Sequence, residues 1–169
     1  MVFRKAAMED LPDILRAVGE ARAFMAGLNI DQWQDGYPEP AVLVEDIRLG
    51  QLYVFDDGGS VAAFAALVPG VEPVYDAIEG AWLTDGPYLT IHRMALDDAH
   101  RGGGLAGAML EHAAEIARAL GCASLRVDTH RGNCAMRRFL EKRGFEPCGT
   151  VLYAVKEGDP LRVAYEKRI

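Results

Sequence analysis

The sequence predicts an α/β (α+β) fold in which helices pack on a mixed sheet. Three observations lead there. Two amphipathic stretches fall within the first 50 residues, short alternating segments divided by turn residues follow, and from residue 88 to 143 strand-like and helix-like periodicity alternate before a closing hairpin. No repeat, low-complexity tract or long Pro/Gly/Ser linker interrupts the order, so residues 1–169 read as one domain.

Taken in order, Val2–Ala6 is a short first strand. Asp10 is placed as an N-cap with Pro12 in the first turn, where a missing N–H costs little. Leu11, Ile14, Leu15, Val18 and Met25 then share a helical face, and Gly27 ends the segment. A shorter helix fits residues 39–49, with Leu43 and Ile47 four apart. Residues 51–56 and 60–68 flank Asp57-Gly58-Gly59 as a hairpin. Residues 69–87 are punctuated by Gly and Pro and receive no assignment.

Tyr88–Leu96 is the fourth strand. Leu105, Met109, Ala113, Ile116 and Leu120 lie on one face of a helix over 104–120, and Gly121 closes it. Residues 123–128 form the fifth strand. A helix over 133–143 turns Met136, Phe139 and Leu140 inward and has Gly144 at C′. Residues 150–155 and 161–167 close the chain as a hairpin around Glu157-Gly158-Asp159-Pro160.

The charge balance narrows the function. With 25 acids against 18 bases and a net charge of −7, the chain lacks the positive field that nucleic-acid binding needs. No apolar run approaches the roughly 20 residues of a membrane span, and the N-terminus has no apolar signal stretch. Cys122, Cys134 and Cys148 are odd in number and have no metal-ligand spacing, as expected of small thiols in a reducing cytoplasm. Arg126, Arg131, Arg137, Arg138, Lys142 and Arg143 nevertheless gather six bases into one stretch, which suits a small polyanion.

The chemistry centres on Arg101-Gly102-Gly103-Gly104-Leu105-Ala106-Gly107, between a strand and a long helix. Glycines allow close backbone approach, and the free N–H groups and dipole of a helix start favour an anion. Three readings compete: a flexible turn, a dinucleotide fingerprint and a coenzyme A loop. Gly102, Gly104 and Gly107 satisfy G-x-G-x-x-G, and Asp128 follows at a strand end where a ribose-binding acid would sit. Against the fingerprint, residues 97–101 separate the glycines from their strand, and few further βα units follow.

Arg101-x-x-Gly104-x-Ala106 resembles the R/Q-x-x-G-x-G/A signature of the GNAT superfamily of N-acetyltransferases. Met94-Ala95-Leu96 takes the place of the usual apolar tripeptide, and Asn133, Met136 and Leu140-Glu141-Lys142-Arg143-Gly144-Phe145 resemble the family's N-x-x-A…Y-E-K-x-G-F ending. The match spans nearly the whole chain and is most specific over residues 92–145, the expected acetyl-CoA-binding core. The resemblance implies a mostly antiparallel sheet splayed between the fourth and fifth strands, with helices on both faces. It implies that Met94 and Leu96 pair through their backbone with the pantetheine arm. The amides of Gly102, Gly103, Gly104, Leu105 and Ala106 would hold the pyrophosphate with Arg101 adding charge, and Asn133 would reach the pantetheine. Arg137 or Arg138 is placed at the 3′-phosphate.

Transfer to an amine requires a proton acceptor. By strand alternation His92 shares a face with Met94 and Leu96, and histidine titrates in the range a general base needs, although a hydrogen-bonded core histidine fits the same position. None of the four histidines shows zinc spacing, and no metal is required. Leu140 stands where much of the family has a tyrosine acid, so either Tyr88, Tyr153 or a water donates the thiolate's proton or the thiolate leaves without a side-chain acid. Asp31–Pro38 resembles a D-Q-W-x-x-G-Y-P pattern, and Trp33 and Tyr37 within it are expected either to wall the acceptor pocket or to staple the loop. The expectation is a cytoplasmic acetyl-CoA-dependent acetyltransferase acting on a small-molecule amine. A catalytically silent coenzyme A module and a nicotinamide-dinucleotide protein stand as alternatives, and a homodimer is left open.

Overall fold

A computed structural model describes residues 1–169. Eight strands form one sheet: β1 (Val2–Lys5), β2 (Leu52–Asp56), β3 (Val61–Pro69), β4 (Glu79–Gly80), β5 (Tyr88–Leu96), β6 (Ser124–His130), β7 (Glu146–Leu152) and β8 (Leu161–Arg168). Their order across the sheet is β1-β2-β3-β5-β6-β8-β7-β4. All pairs are antiparallel except β5–β6. The helices are α1 (Leu11–Gly27), α2 (Pro40–Arg48), α3 (Leu105–Ala119) and α4 (Cys134–Lys142).

The pleat of β3 explains why both faces are covered. Ala63, Ala65 and Leu67 point to one core with Met109, Ala113 and Ala117 of α3 and Leu140 of α4. Phe64 and Ala66 point to the other, with Ile14, Ala17 and Val18 of α1 and Leu43 of α2. A strand apolar on both faces belongs in the middle of a sheet. Small alanines at the crossings let the helices lie close.

Three expectations need correction, the first only in part. Asp10 holds the N-cap position of α1, as expected, but its side chain makes no cap bond to that helix. The carboxylate accepts from the Ala7 N–H and pairs with Arg4, because a 3-10 turn over Met8–Asp10 runs into the helix. Leu120 is 55 % exposed rather than inward. It is the C-cap of α3, and its place on the helical face has rotated past the sheet.

The last hairpin starts at Glu146 rather than 150. Pro147 and Gly149 hid this strand, and the structure places a bulge between them. The unassigned stretch holds a 3-10 turn (Pro73–Ala77) and β4, which pairs with β7. Tertiary contacts hold it: Tyr75 is buried, and Trp82 lies over the Arg126 guanidinium 4.1 Å from its ring centre.

Arg126 thereby leaves the basic cluster and enters a buried pair. Its Nε donates to Glu166 at 3.1 Å, between the rings of Trp82 and Tyr88. Burial pushes the Glu166 carboxyl up, but hydrogen bonds from Ser124, Thr84 and Arg126 outweigh it and hold the group below its usual range. Removing one member of such a pair strands the other charge. Glu166→Ala is expected to cost about 3–5 kcal/mol, read by urea denaturation with an unchanged m-value. A loss under 1 kcal/mol would show the pair to be solvated.

Candidate active site

β5 and β6 pair only at Tyr88–Ser124, Leu89–Leu125 and Thr90–Arg126. Beyond Thr90 and Arg126 they diverge, and a cleft of about 460 Å³ opens there. Its lining draws on β5 (His92 to Leu96), β6 (Val127 to Thr129), Arg101, Asn133, the 31–38 loop and Tyr153. Of the side chains selected from the sequence, Trp33, Tyr37, His92, Met94, Leu96, Arg101, Asn133 and Tyr153 meet this cleft, whereas Tyr88, Arg137, Arg138 and the loop residues after Arg101 do not.

The free edge of β5 presents its backbone. Asp97 N–H donates to Ala62 at 3.0 Å, which makes Ala95 and Asp97 the positions bonded to β3. The N–H and C=O groups of Leu96, and by alternation Met94, therefore point away from β3 into the gap where β6 has left. At the start of α3, Gly102 and Gly104 have φ of +79° and +88°, and a Cβ added to either meets nothing within 4 Å. The N–H groups of Gly102, Gly104, Leu105 and Ala106 have no backbone acceptor. Gly103 is the exception, since its N–H is turned to the His100 carbonyl at 3.3 Å.

Arg101 pairs with Asp98 at 2.8 Å and lies over Phe24. Asn133 is the N-cap of α4, its Oδ1 accepting from Met136 N–H at 3.1 Å, which leaves the side-chain amide free at the cleft. The basic patch disperses: Arg131 pairs with Asp159, Arg137 donates to Tyr165, and Arg143 packs beside Gly107 and Glu111. Arg138 and Lys142 alone are exposed without a partner.

The alternation argument for His92 fails at a bulge. Arg93 has φ of +53°, and the β3–β5 register shifts between Phe64 and Ala66, so two residues of β5 oppose Ala65. Ile91, Met94 and Leu96 face the α3 core, whereas His92 faces the α1 and α2 side with Ala66. The extra residue flips every position after it. His92 Nε2 lies 2.9 Å from Glu72 Oε2, and this hydrogen bond holds the Glu72 carboxyl below its usual range. Arg93 in turn is clamped by Asp46 at 2.7 and 3.0 Å and donates to the Tyr37 hydroxyl at 2.7 Å. Trp33 meets Tyr37 edge-on at 6.5 Å, and both line the cleft.

Directly across the opening stands Asp128, which the sequence suggested only as a ribose-binding acid. Asp128 and His92 are each two residues past the last paired position and share a face. Asp128 Oδ2 accepts from both the Tyr75 and the Tyr153 hydroxyl at 2.8 Å. Burial and the neighbouring carboxylate both raise those hydroxyls above the ordinary tyrosine range, so they stay protonated. Tyr88 is taken up elsewhere, its hydroxyl accepting from Glu72 N–H at 2.9 Å. Leu140 is fully buried in the α3 core. His130 also stands apart: Nδ1 accepts from Gly132 N–H, and Nε2 lies 2.8 Å from Asp31, tying loop to hairpin.

The antiparallel sheet and the 3-10 turn (Asp98–His100) between β5 and the glycines exclude the doubly wound dinucleotide arrangement. The acetyltransferase (GNAT) family profile matches residues 20–145. Among solved structures, a GNAT-family acetyltransferase from Streptococcus agalactiae 2603 is 37 % identical, with a TM-score of 0.87 over 99 % of this chain and 95 % of that one. The PaiA N-acetyltransferase of Thermoplasma acidophilum, solved with coenzyme A, shares the fold at 18 % identity and TM-score 0.73 over 99 % and 98 % of the chains. A ribosomal-protein-alanine N-acetyltransferase from Brucella melitensis does so at 22 % and 0.71 over the full length of both. No curated protein matches the chain. With a family profile covering well over half of its length and a solved relative above 30 % identity, the chain belongs to the GNAT family of acetyltransferases.

Proposed function

We propose that the protein transfers an acetyl group from acetyl-CoA to the primary amine of a small molecule, with His92 as the general base. The observation that carries this reading is the cleft between β5 and β6. On one side it offers the unpaired edge of β5, with the helix-start amides beyond Arg101, and on the other His92 and Asp128. The thioester arm would lie along Met94 and Leu96 as a short substitute strand. Its pyrophosphate would meet the N–H groups of Gly102, Gly104, Leu105 and Ala106, beside Arg101. The free amide of Asn133 adds a donor at the gap. A helix start with open backbone in front of it fits an anion of this kind.

The acceptor enters from the side of the 31–38 loop. His92, oriented by Glu72, takes a proton from the ammonium directly or through one water. The amine nitrogen then forms its bond to the thioester carbonyl carbon as the carbon–sulfur bond breaks, and the coenzyme leaves as a thiolate that acquires a proton. A cavity of about 460 Å³, shared with the thioester arm, favours a small acceptor. Ties from Lys156 to Glu39 and from Asp159 N–H to Asp31 close the loop over it.

The direct test is ligand stabilisation. Acetyl-CoA is expected to raise Tm by several degrees at saturating concentration, about 2.7 kcal/mol at a hundred times Kd, while NAD and NADP leave Tm unchanged. A shift with the nicotinamides alone would overturn the reading. A shift with acetyl-CoA but no thiol release with any amine would instead identify a silent binding module. Trp33→Ala and Tyr37→Ala are expected to raise KM for the acceptor tenfold or more and to leave KM for acetyl-CoA unchanged, about 1.4 kcal/mol of acceptor binding. Unchanged kinetics with a lowered Tm would make the pair a loop staple.

A further inference from the structure

The charges that line the cleft are paired with two exceptions. Arg93 is paired with Asp46 and Arg101 with Asp98, and Glu72 is hydrogen-bonded to His92. Asp35 is taken up by the N–H groups of Tyr37 and Lys156. Arg162 has no carboxylate partner. It is 7 % exposed, and only its Nη1 is used, donating to the Asp159 and Leu161 carbonyls at 2.6 and 3.1 Å. Arg162 also lines the cleft, and its remaining N–H groups have no protein acceptor. Asp128 has no cationic partner and, unlike Asp35, is not satisfied at both oxygens. Two tyrosine hydroxyls fix one of its oxygens and leave the other open.

A buried guanidinium without an anion is costly, and such charges are ordinarily paired. The two exceptions also lie close together. β6 and β8 pair Asp128 with Ala164 and His130 with Arg162, so Asp128 and Arg162 are diagonal neighbours on one face. Their Cα atoms are then roughly 7–8 Å apart. An anion and a cation at that separation, both facing the same small cavity, are complementary to a zwitterion.

Resting on the acetyltransferase reading, we propose that the acceptor is an amine that also carries a carboxylate. Asp128 receives the ammonium beside His92, and Arg162 receives the carboxylate through its unused N–H groups. A planar guanidinium matches a carboxylate in two-point contact. The arrangement selects a free amino acid over an amine whose carboxylate is blocked as an amide, and over the N-terminus of a peptide.

The test compares the common α-amino acids, β-alanine and 4-aminobutyrate with their primary amides and an alanine-led peptide, by thiol release from acetyl-CoA. At least one amino acid is expected to exceed its amide roughly 10²-fold in kcat/KM, the usual effect of leaving a buried charge unpaired. Arg162→Gln is expected to erase that preference, the acid falling to the rate of its amide in the same variant, and Arg162→Lys to restore part of it. Tm of each variant guards against a general loss of the hairpin. Amides or peptides turned over as well as the acids would overturn the proposal, as would a preference that survives Arg162→Gln. Binding of acetyl-CoA with no carboxylated amine accepted would overturn it too. Failure to bind acetyl-CoA would instead remove the acetyltransferase reading beneath it.

Discussion

Replacing His92 by alanine is expected to lower kcat/KM for the amine roughly 10²–10⁴-fold while leaving the affinity for acetyl-CoA unchanged. The split follows from where the side chain points. The bulge at Arg93 turns His92 to the α1 and α2 face, beside the 31–38 loop, while the side proposed for the coenzyme is built from backbone groups of Met94, Leu96 and the glycine loop. Removing the imidazole therefore takes a proton acceptor from the amine and nothing from the coenzyme.

The pH profile separates His92 from its neighbour. Glu72 has a carboxyl held below its usual range by the His92 hydrogen bond, so it is already ionised on the acid side of neutrality and cannot supply a limb there. If the rise of kcat/KM with pH belongs to His92, His92→Ala flattens it. Glu72→Gln keeps the hydrogen-bonding shape, so a limb that survives in Glu72→Gln and is lost in His92→Ala belongs to the imidazole. An unchanged profile in His92→Ala would return this histidine to the core and leave the proton to a water chain. His130 stands outside the cleft lining, with Nδ1 accepting from Gly132 N–H and Nε2 facing Asp31.

Periodicity carried most of the fold because the elements it names are half-buried and regular. Tyr88–Leu96 is bounded as its sequence suggests, and α3 differs only by its terminal residues. The losses share a cause. Pro147 and Gly149 look like turn residues but occupy a bulged strand beside β4, and the 69–87 stretch is ordered by Tyr75, Trp82 and Thr84 contacts far along the chain.

At the site, motif spacing pointed to the glycine loop, Asn133 and the strand edge, whose proposed roles run through backbone or a local cap. It missed the partners assembled across strands. The face of His92 depends on one inserted residue that alternation does not reveal, although an arginine between two site residues gave no warning of it. Asp128 was noticed for a dinucleotide fold that the topology excludes, and nothing local joins it to Tyr75 and Tyr153. The basic cluster was a matter of adjacency in sequence. Strand pleat and helix turn send Arg126, Arg131, Arg137 and Arg143 to four different partners.

Gly104→Val is expected to abolish the stabilisation by acetyl-CoA, raising its Kd at least a hundredfold, about 2.7 kcal/mol of binding. Gly104 is the N-cap of α3 with φ of +88°, and the space in front of it is open. A valine side chain there projects into the place where a phosphate would meet the adjacent N–H groups. The left-handed conformation also penalises valine, by roughly 1–2 kcal/mol, so Tm falls for a reason unrelated to the ligand. Gly121→Val supplies the control. Gly121 has φ of +72°, equally open space and a position beyond the other end of α3, so it carries the same backbone strain away from the cleft. Both variants should lose comparable stability in the absence of ligand, and only Gly104→Val should fail to respond to acetyl-CoA. Equal ligand responses in the two variants would mean that the glycine loop does not hold the coenzyme, and the free N–H groups at the start of α3 would then need another ligand.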